Sequence, residues 1–182
     1  MKTESNVKFV LRLTVTLLLI TSVVAALLAA VNGITAPKIA QLTQQKTQQA
    51  VETVLPGGGE EVPFTDDTGL VSVVYKGENG YAVQVAPAGF DSAVTMMVGV
   101  DGSGKVLGIS VIDQSETAGL GAVCAANTEK GEAFRSQFVG MSGEVTVTKD
   151  GGQADAITGA TITSRAVCKG ITAAIACVEA MG

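Results

Sequence analysis

Residues 70–112, LVSVVYKGENGYAVQVAPAGFDSAVTMMVGVDGSGKVLGISVI, set the architecture. Four strand-like runs lie in and around them, at 70–75, 81–86, 93–100 and 105–112, rich in valine, isoleucine and tyrosine. Gly77-Glu78-Asn79-Gly80 and Asp101-Gly102-Ser103-Gly104 supply residues that accept positive φ, as tight hairpins require. Neighbouring strands are therefore expected to be antiparallel, in a meander. Around this sheet the sequence predicts a short helix at 129–138, a hairpin at 145–157 turning at Asp150-Gly151-Gly152, and a terminal helix at 163–181. On that helix Arg165, Lys169, Thr172 and Glu179 form a polar stripe, while Val167, Ile171, Ala174 and Val178 face elsewhere. The expected class is α+β, a twisted antiparallel sheet flanked by helices.

Toward the amino terminus the pattern changes. No charged residue lies between Arg12 and Lys38, and residues 13–31 are almost wholly apolar, long enough as a helix to cross a bilayer core of ~30 Å. Lys2, Lys8 and Arg12 precede this run against Glu4 alone, which by the positive-inside rule keeps residues 1–12 in the cytoplasm and exports the rest. The competing reading is a cleaved signal peptide, but the run exceeds the usual 7–15-residue core and the one tempting site, after Ile34-Thr35-Ala36, is followed by Pro37. The expected organisation is a cytoplasmic segment at 1–12, a single-pass anchor in the cell membrane at 13–36, a helical stalk and linker at 37–61 stopped by Pro56-Gly57-Gly58-Gly59, and an extracytoplasmic domain at 62–182. The stalk is expected to start at Pro37 and either to lie on the domain only loosely or to lead out of the membrane helix.

Composition excludes several function classes. The 182 residues include no histidine, so a Ser-His-Asp triad, a Cys-His dyad and a His-ligated haem are out. Removing Lys2, Lys8, Arg12 and Glu4 from the totals leaves 9 basic and 16 acidic residues beyond the anchor, which offers no basic surface for nucleic acid. Cys124, Cys168 and Cys177 are too few for a four-thiolate cluster within the chain and read as small buried hydrophobes. No internal acid–base or nucleophilic constellation is visible, and no resident metal site is expected.

The chemistry concentrates in Asp155-Ala156-Ile157-Thr158-Gly159-Ala160-Thr161-Ile162-Thr163-Ser164. Hydroxyls and a glycine just before a helix start create a place that suits a phosphate, since backbone N–H groups there lack intrahelical partners and the dipole is positive. The plainer alternative is that Thr163 or Ser164 caps the helix while Gly159 makes the turn.

The Asp-x-x-Thr-Gly-Ala-Thr pattern resembles that of the FMN-binding-domain proteins, which include the G subunit of the Rnf electron-transport complex and the C subunit of the sodium-pumping quinone reductase. Glu116-Thr117-Ala118-Gly119-Leu120-Gly121 is similar to a second stretch of that family, which lies against the flavin; Ala118 stands where the family usually has proline. The chain's length favours the Rnf subunit.

The resemblance implies covalent FMN, esterified through its phosphate to Thr161 by a flavin transferase that uses FAD and magnesium. Thr158, Gly159 and Ala160 would shape the loop, Asp155 would be recognised by the transferase, and Glu116, Thr117, Gly119, Leu120 and Gly121 would contact or frame the flavin. Arg165, about one turn beyond Thr161, is a further candidate partner for the phosphate, and equally a surface charge. Glu116 either orients its loop or is simply solvated.

The implied function is an anchored electron carrier in an ion-translocating ferredoxin:NAD⁺ oxidoreductase. Its expected partners are membrane subunits with iron–sulfur and flavin centres, the transferase and membrane lipid. Two alternatives stay open: a stand-alone flavinylated carrier, and an anchored binding or assembly module without cofactor.

Overall fold

A computed structural model describes residues 3–181, with side chains from Val7 onward. Of the expected cytoplasmic segment, Met1 and Lys2 lie outside the described residues. Two compact units divide the chain, Met1–Gln44 and Gln45–Gly182.

The second unit is built on a five-stranded antiparallel meander: β1 (Glu60–Val62), β2 (Val71–Gly77), β3 (Gly80–Val85), β4 (Thr95–Val100) and β5 (Val106–Asp113), hydrogen-bonded in that order. The four expected strands are present to within about two residues at each end. β1 escapes a pattern reading because it is three residues long and includes Glu60 and Glu61. The β2–β3 turn closes on the Gly77–Gly80 pair. At the β4–β5 turn the Asp101 carboxylate accepts hydrogen bonds from Ser103 N (2.8 Å) and Lys105 N (2.9 Å), while Gly104 adopts φ 79°. Both turns use the local chemistry read from the sequence.

Each face of the sheet buries a different helix. The α3 helix (Thr161–Met181) lays Val167, Ile171, Ala174 and Val178 against a core with Val83, Val85, Met96 and Val98, and leaves Arg165, Lys169 and Glu179 exposed. Its close approach depends on Gly170, where a Cβ would lie 2.5 Å from the Met96 terminal methyl. Although α3 is apolar enough to cross a membrane, two-thirds of it is buried, as befits a core helix.

The opposite face receives the end of α1 (Thr3–Val54). Ala50, Val51, Val54 and Leu55 pack on Ala82, Met97 and Ile112 in a second core cluster. This corrects the expectation of a loosely laid stalk, whereas the other expectation, a helix leading out of the apolar run, matches the unbroken α1. The glutamine-rich composition hid that one face of the last two turns is apolar.

A second correction concerns Pro37, expected at a helix start but found inside α1. Proline has no N–H to give the Gly33 carbonyl, yet the neighbouring turns continue. Within the apolar run the threonines bond back to the helix, for example Thr21 Oγ1 to Leu17 O at 2.9 Å and Thr35 Oγ1 to Val31 O at 2.9 Å, so their hydroxyls need no water. Apolar side chains here, such as Leu18 at 64% exposure, are uncovered by protein. This α1 helix is therefore a candidate membrane span.

The hairpin expected at 145–157 is absent. Its place is taken by a 3₁₀ turn, Thr148–Asp150, followed by Gly151 at φ 87° and a single parallel bridge between Val147 and Ala154. The return stretch Gln153-Ala154-Asp155-Ala156 has no β-branched residue to hold a ladder. The α2 helix (Glu129–Ser136) is capped by Thr128 and anchored by an edge-to-face contact of Phe134 with Phe138, centroids 5.3 Å apart.

Candidate functional site

Three loops and the start of α3 converge at one end of the sheet. The turn at 157–160 is closed by Ala160 N donating to Ile157 O at 2.9 Å, with Gly159 at φ 77° in its third position. The helix then opens at Thr161, two residues earlier than expected, because threonine and isoleucine are weak helix formers and mask the start.

This removes the simple capping alternative for Thr163 and Ser164. Both are buried in the first turn. Ser164 Oγ accepts from Ile157 N (2.9 Å) and donates to Ala160 O (3.0 Å), locking the turn onto the helix.

Thr163 meets the residue on which the site is organised, Glu116. Its hydroxyl donates to Glu116 Oε2 at 2.5 Å, and the same carboxylate accepts from the backbone N–H of Phe90 (3.0 Å), Asp91 (3.0 Å) and Ser92 (3.2 Å). At 7% exposure Glu116 is no solvated surface charge. It ties the 89–92 loop, its own loop and α3 together. Gly121 is required beside it: a Cβ there would lie 2.6 Å from Thr163 Oγ1 and 2.7 Å from Glu116 Oε2.

Downstream, residues Gly121–Ala125 form a 3₁₀ helix, and Arg135 Nη1 fixes its end by donating to the carbonyls of Cys124 and Ala126, each at 3.0 Å.

Burial alone would raise the Glu116 pKa, but the Thr163 hydroxyl and the three N–H groups more than offset it and hold the carboxyl below its ordinary 4.5. The folded state thus binds fewer protons than the unfolded chain in the window just below 4.5. Stability from this carboxylate is complete above that value and is lost as pH falls through the lower folded pKa. Thermal melts of the wild type from neutral pH down to about 3 should show this acid loss, and Glu116→Gln should show a shallower one. Parallel acid limbs for the two proteins would contradict the assignment.

Glu116, Thr117, Leu120, Gly121, Gly159, Ala160 and Thr161 line one cavity of about 320 Å³, joined by Phe90, Lys149, Ile162 and Thr163. Its volume falls within the range of small-molecule sites. Phe90, Leu120 and Ile162 are exposed apolar side chains on its wall, at 64%, 42% and 49%. The half-buried Thr161 Oγ1 lies 3.2 Å from Lys149 Nζ.

Three other expected site residues lie elsewhere. Gly119, Thr158 and Asp155 line a neighbouring cavity of about 590 Å³ with Lys130, Phe134 and Gln137. Leu120 packs toward Gly159 at the boundary; a Cβ on Gly159 would lie 3.0 Å from its Cδ2.

Arg165 does not reach the Thr161 hydroxyl in this arrangement. It makes a two-pronged ion pair with Asp150, Nε to Oδ2 and Nη2 to Oδ1, both at 2.7 Å. Residues that sequence reasoning missed are Phe90, Lys149 and Gln137. Gln137 clamps the Asp155 backbone through Nε2 to O (3.1 Å) and N to Oε1 (2.7 Å), which leaves the Asp155 side chain exposed. Only the Asp150-Gly151-Gly152 turn signal, which begins one residue after Lys149, lay next to any of the three.

All three cysteines are buried and unpaired. Burial, with a smaller contribution from the Glu116 charge, pushes the Cys124 thiol up to about 11, and burial pushes Cys168 likewise to about 11. They are packing residues, as expected.

Residues 89–176, which carry both loops and most of α3, match the model of the FMN-binding domain. The chain is also 32% identical to the G subunit of the ion-translocating oxidoreductase complex of Methanosarcina acetivorans, over 97% of this chain and 98% of the relative. The chain belongs to the family of G subunits of ion-translocating oxidoreductase complexes. Another G subunit, from the Na⁺-translocating ferredoxin:NAD⁺ oxidoreductase complex of Acetobacterium woodii, is 32% identical over 96% of this chain and 94% of the relative. The G subunit of the proton-translocating counterpart in Clostridium ljungdahlii is 34% identical over 82% and 80%.

The cavity's features fit the cofactor of the matched domain. A hydroxyl stands at a helix start, a lysine is beside it, and apolar side chains offer contact to a flat ring.

Proposed function

We propose that this chain carries FMN esterified to Thr161 and serves as a membrane-anchored electron-transfer subunit of an Rnf-type ion-translocating oxidoreductase. The observation that carries the reading is the Thr161 hydroxyl at the first turn of α3, opening into the cavity walled by Phe90, Leu120 and Ile162. Bound flavin supplies one- and two-electron transfer. The chain's own residues bind and orient: Glu116 fixes the two loops, Gly159 gives the turn its left-handed corner, and the first-turn N–H groups and dipole of α3 favour the phosphodiester's negative charge. Leu120 and Ile162 offer apolar contact to a ring, and Thr117 offers a hydroxyl.

Electron donors and acceptors would be other membrane subunits of the complex, in line with the names of the relatives. Those names specify Na⁺ in one organism and protons in another, so they favour no coupling ion for this chain. The apolar run of α1, with the basic residues before it, supports a single-pass anchor, cytoplasmic residues 1–12 and an exported domain that includes residues 62–182. Asp155, exposed and held by its backbone, is suited to recognition by the transferase.

The test uses the full chain coexpressed with a flavin transferase and denatured. An FMN-sized mass on the Thr161 peptide is expected, with yellow-green fluorescence that stays with the polypeptide. An unmodified Thr161 peptide would overturn the reading and leave an anchored module without cofactor.

A further inference from the structure

The cation at the attachment hydroxyl is Lys149, and it is placed there by construction. Its backbone belongs to the 3₁₀ turn Thr148–Asp150, which is held by the Val147–Ala154 bridge and by Thr148 N donating to Ala154 O at 2.8 Å. Asp150 ties the turn to α3 through both carboxylate oxygens on Arg165. Arg165 sits one helical turn after Thr161, so Lys149 and Thr161 are referenced to the same stretch of helix. With Arg165 engaged by Asp150, Lys149 Nζ at 3.2 Å is the cation that donates to Thr161 Oγ1.

Resting on the reading of Thr161 as the flavin attachment residue, we propose that Lys149 is a positioning residue for phosphoryl transfer to Thr161, and that its ammonium pairs with the resulting phosphodiester. In the transfer, Thr161 Oγ1 forms a bond to the flavin-side phosphorus of FAD as the bond from that phosphorus to the bridging pyrophosphate oxygen breaks. AMP leaves with that oxygen. The Thr161 proton passes to a base of the transferase or to water, and no group changes oxidation state.

Lys149 is not the base in this step. By donating to Oγ1 it directs the oxygen lone pairs, and it offsets the negative charge that gathers on the oxygen and on the phosphoryl group. Arg165 acts at one remove, by fixing Asp150 and hence the turn. The arrangement assigns the two nearby cations different tasks, one facing the ester and the other holding the scaffold.

The test measures single-turnover flavin loading of the unmodified full chain in detergent, at saturating transferase, with FAD and magnesium, read by intact mass. Lys149→Gln is expected to slow loading about tenfold at saturation, as befits loss of one charge-assisted donor in a partly solvated site, without changing the transferase concentration that gives half-saturation. Lys149→Arg should restore most of the rate. The exposed position of Lys149 predicts an unchanged melting temperature for both variants.

Wild-type loading with Lys149→Gln equally fast would overturn this proposal alone. An effect confined to half-saturation would also overturn it and make Lys149 a docking residue. Slow loading that arginine fails to restore would overturn the charge argument. A wild type that takes up no flavin overturns the Thr161 reading, and this proposal with it.

Discussion

Thr161→Ala is expected to abolish covalent flavin while leaving the domain folded. The Thr161 side chain is only half-buried, and its hydrogen-bond partner is the flexible end of an exposed lysine. Removing it opens no sizeable cavity. Alanine is also a better helix residue than threonine by up to ~0.7 kcal/mol, so the net change in stability should stay within about 1 kcal/mol. The effect on modification is all or none, since no carbon side chain can form the ester.

Thr161→Ser keeps the oxygen but frees its rotamer, because the branching methyl no longer restricts χ1. It should load more slowly than wild type and still end modified. In-gel flavin fluorescence after denaturation, beside thermal melts of the same preparations, checks both expectations. Covalent fluorescence persisting in Thr161→Ala would move the attachment to another hydroxyl, with Thr158, Thr163 and Ser164 the nearest alternatives in the chain.

Glu116→Ala should produce the largest loss of stability near the site. It deprives the N–H groups of Phe90, Asp91 and Ser92 and the buried Thr163 hydroxyl of their shared acceptor. Stranding such donors around a buried site costs on the order of 3–5 kcal/mol, against a typical domain stability of roughly 5–15 kcal/mol. For a unit of this size that corresponds to a drop in melting temperature of about 10–17 °C.

The same change releases the loop carrying Phe90, so flavin loading should fall along with stability. Glu116→Gln keeps one acceptor oxygen but turns an amide NH₂ toward donors, and should lie between the two. Calorimetry or thermal fluorescence on the full chain in detergent distinguishes them. A loss below about 1 kcal/mol for the alanine variant would mean the 89–92 loop is held by something other than this carboxylate.

The strands and both hairpin turns were legible because their signals are local: alternating β-branched residues bounded by glycine and asparagine. The threonine motif was legible for the same reason. What failed was pairing across distance. Whether 145–157 forms a ladder depends on what Gln153 and Ala154 meet, and the dipeptide Gly151-Gly152 reads the same in a hairpin as in a 3₁₀ turn.

Glu116 could be placed in the right loop but not given its role, because its donors are 24–26 residues away in one direction and Thr163 is 47 away in the other. Lys149 and Arg165 illustrate the limit most sharply. Their spacing from Thr161 favoured Arg165, and only the Asp150 ion pair, invisible in one dimension, exchanges their tasks. The packing of Ala50 and Val54 was obscured because glutamines surround them on the helix.

The burial of Cys124, Cys168 and Cys177 has a practical corollary. Closed thiols whose pKa values are raised stay in the neutral form at physiological pH and make poor nucleophiles. Dissolved oxygen, peroxide and alkylating dyes therefore meet no reactive sulfur on the intact surface. An oxidising solution therefore offers the intact fold no mispaired bridge, and the rate at which iodoacetamide labels the chain becomes a clock for the opening of its core.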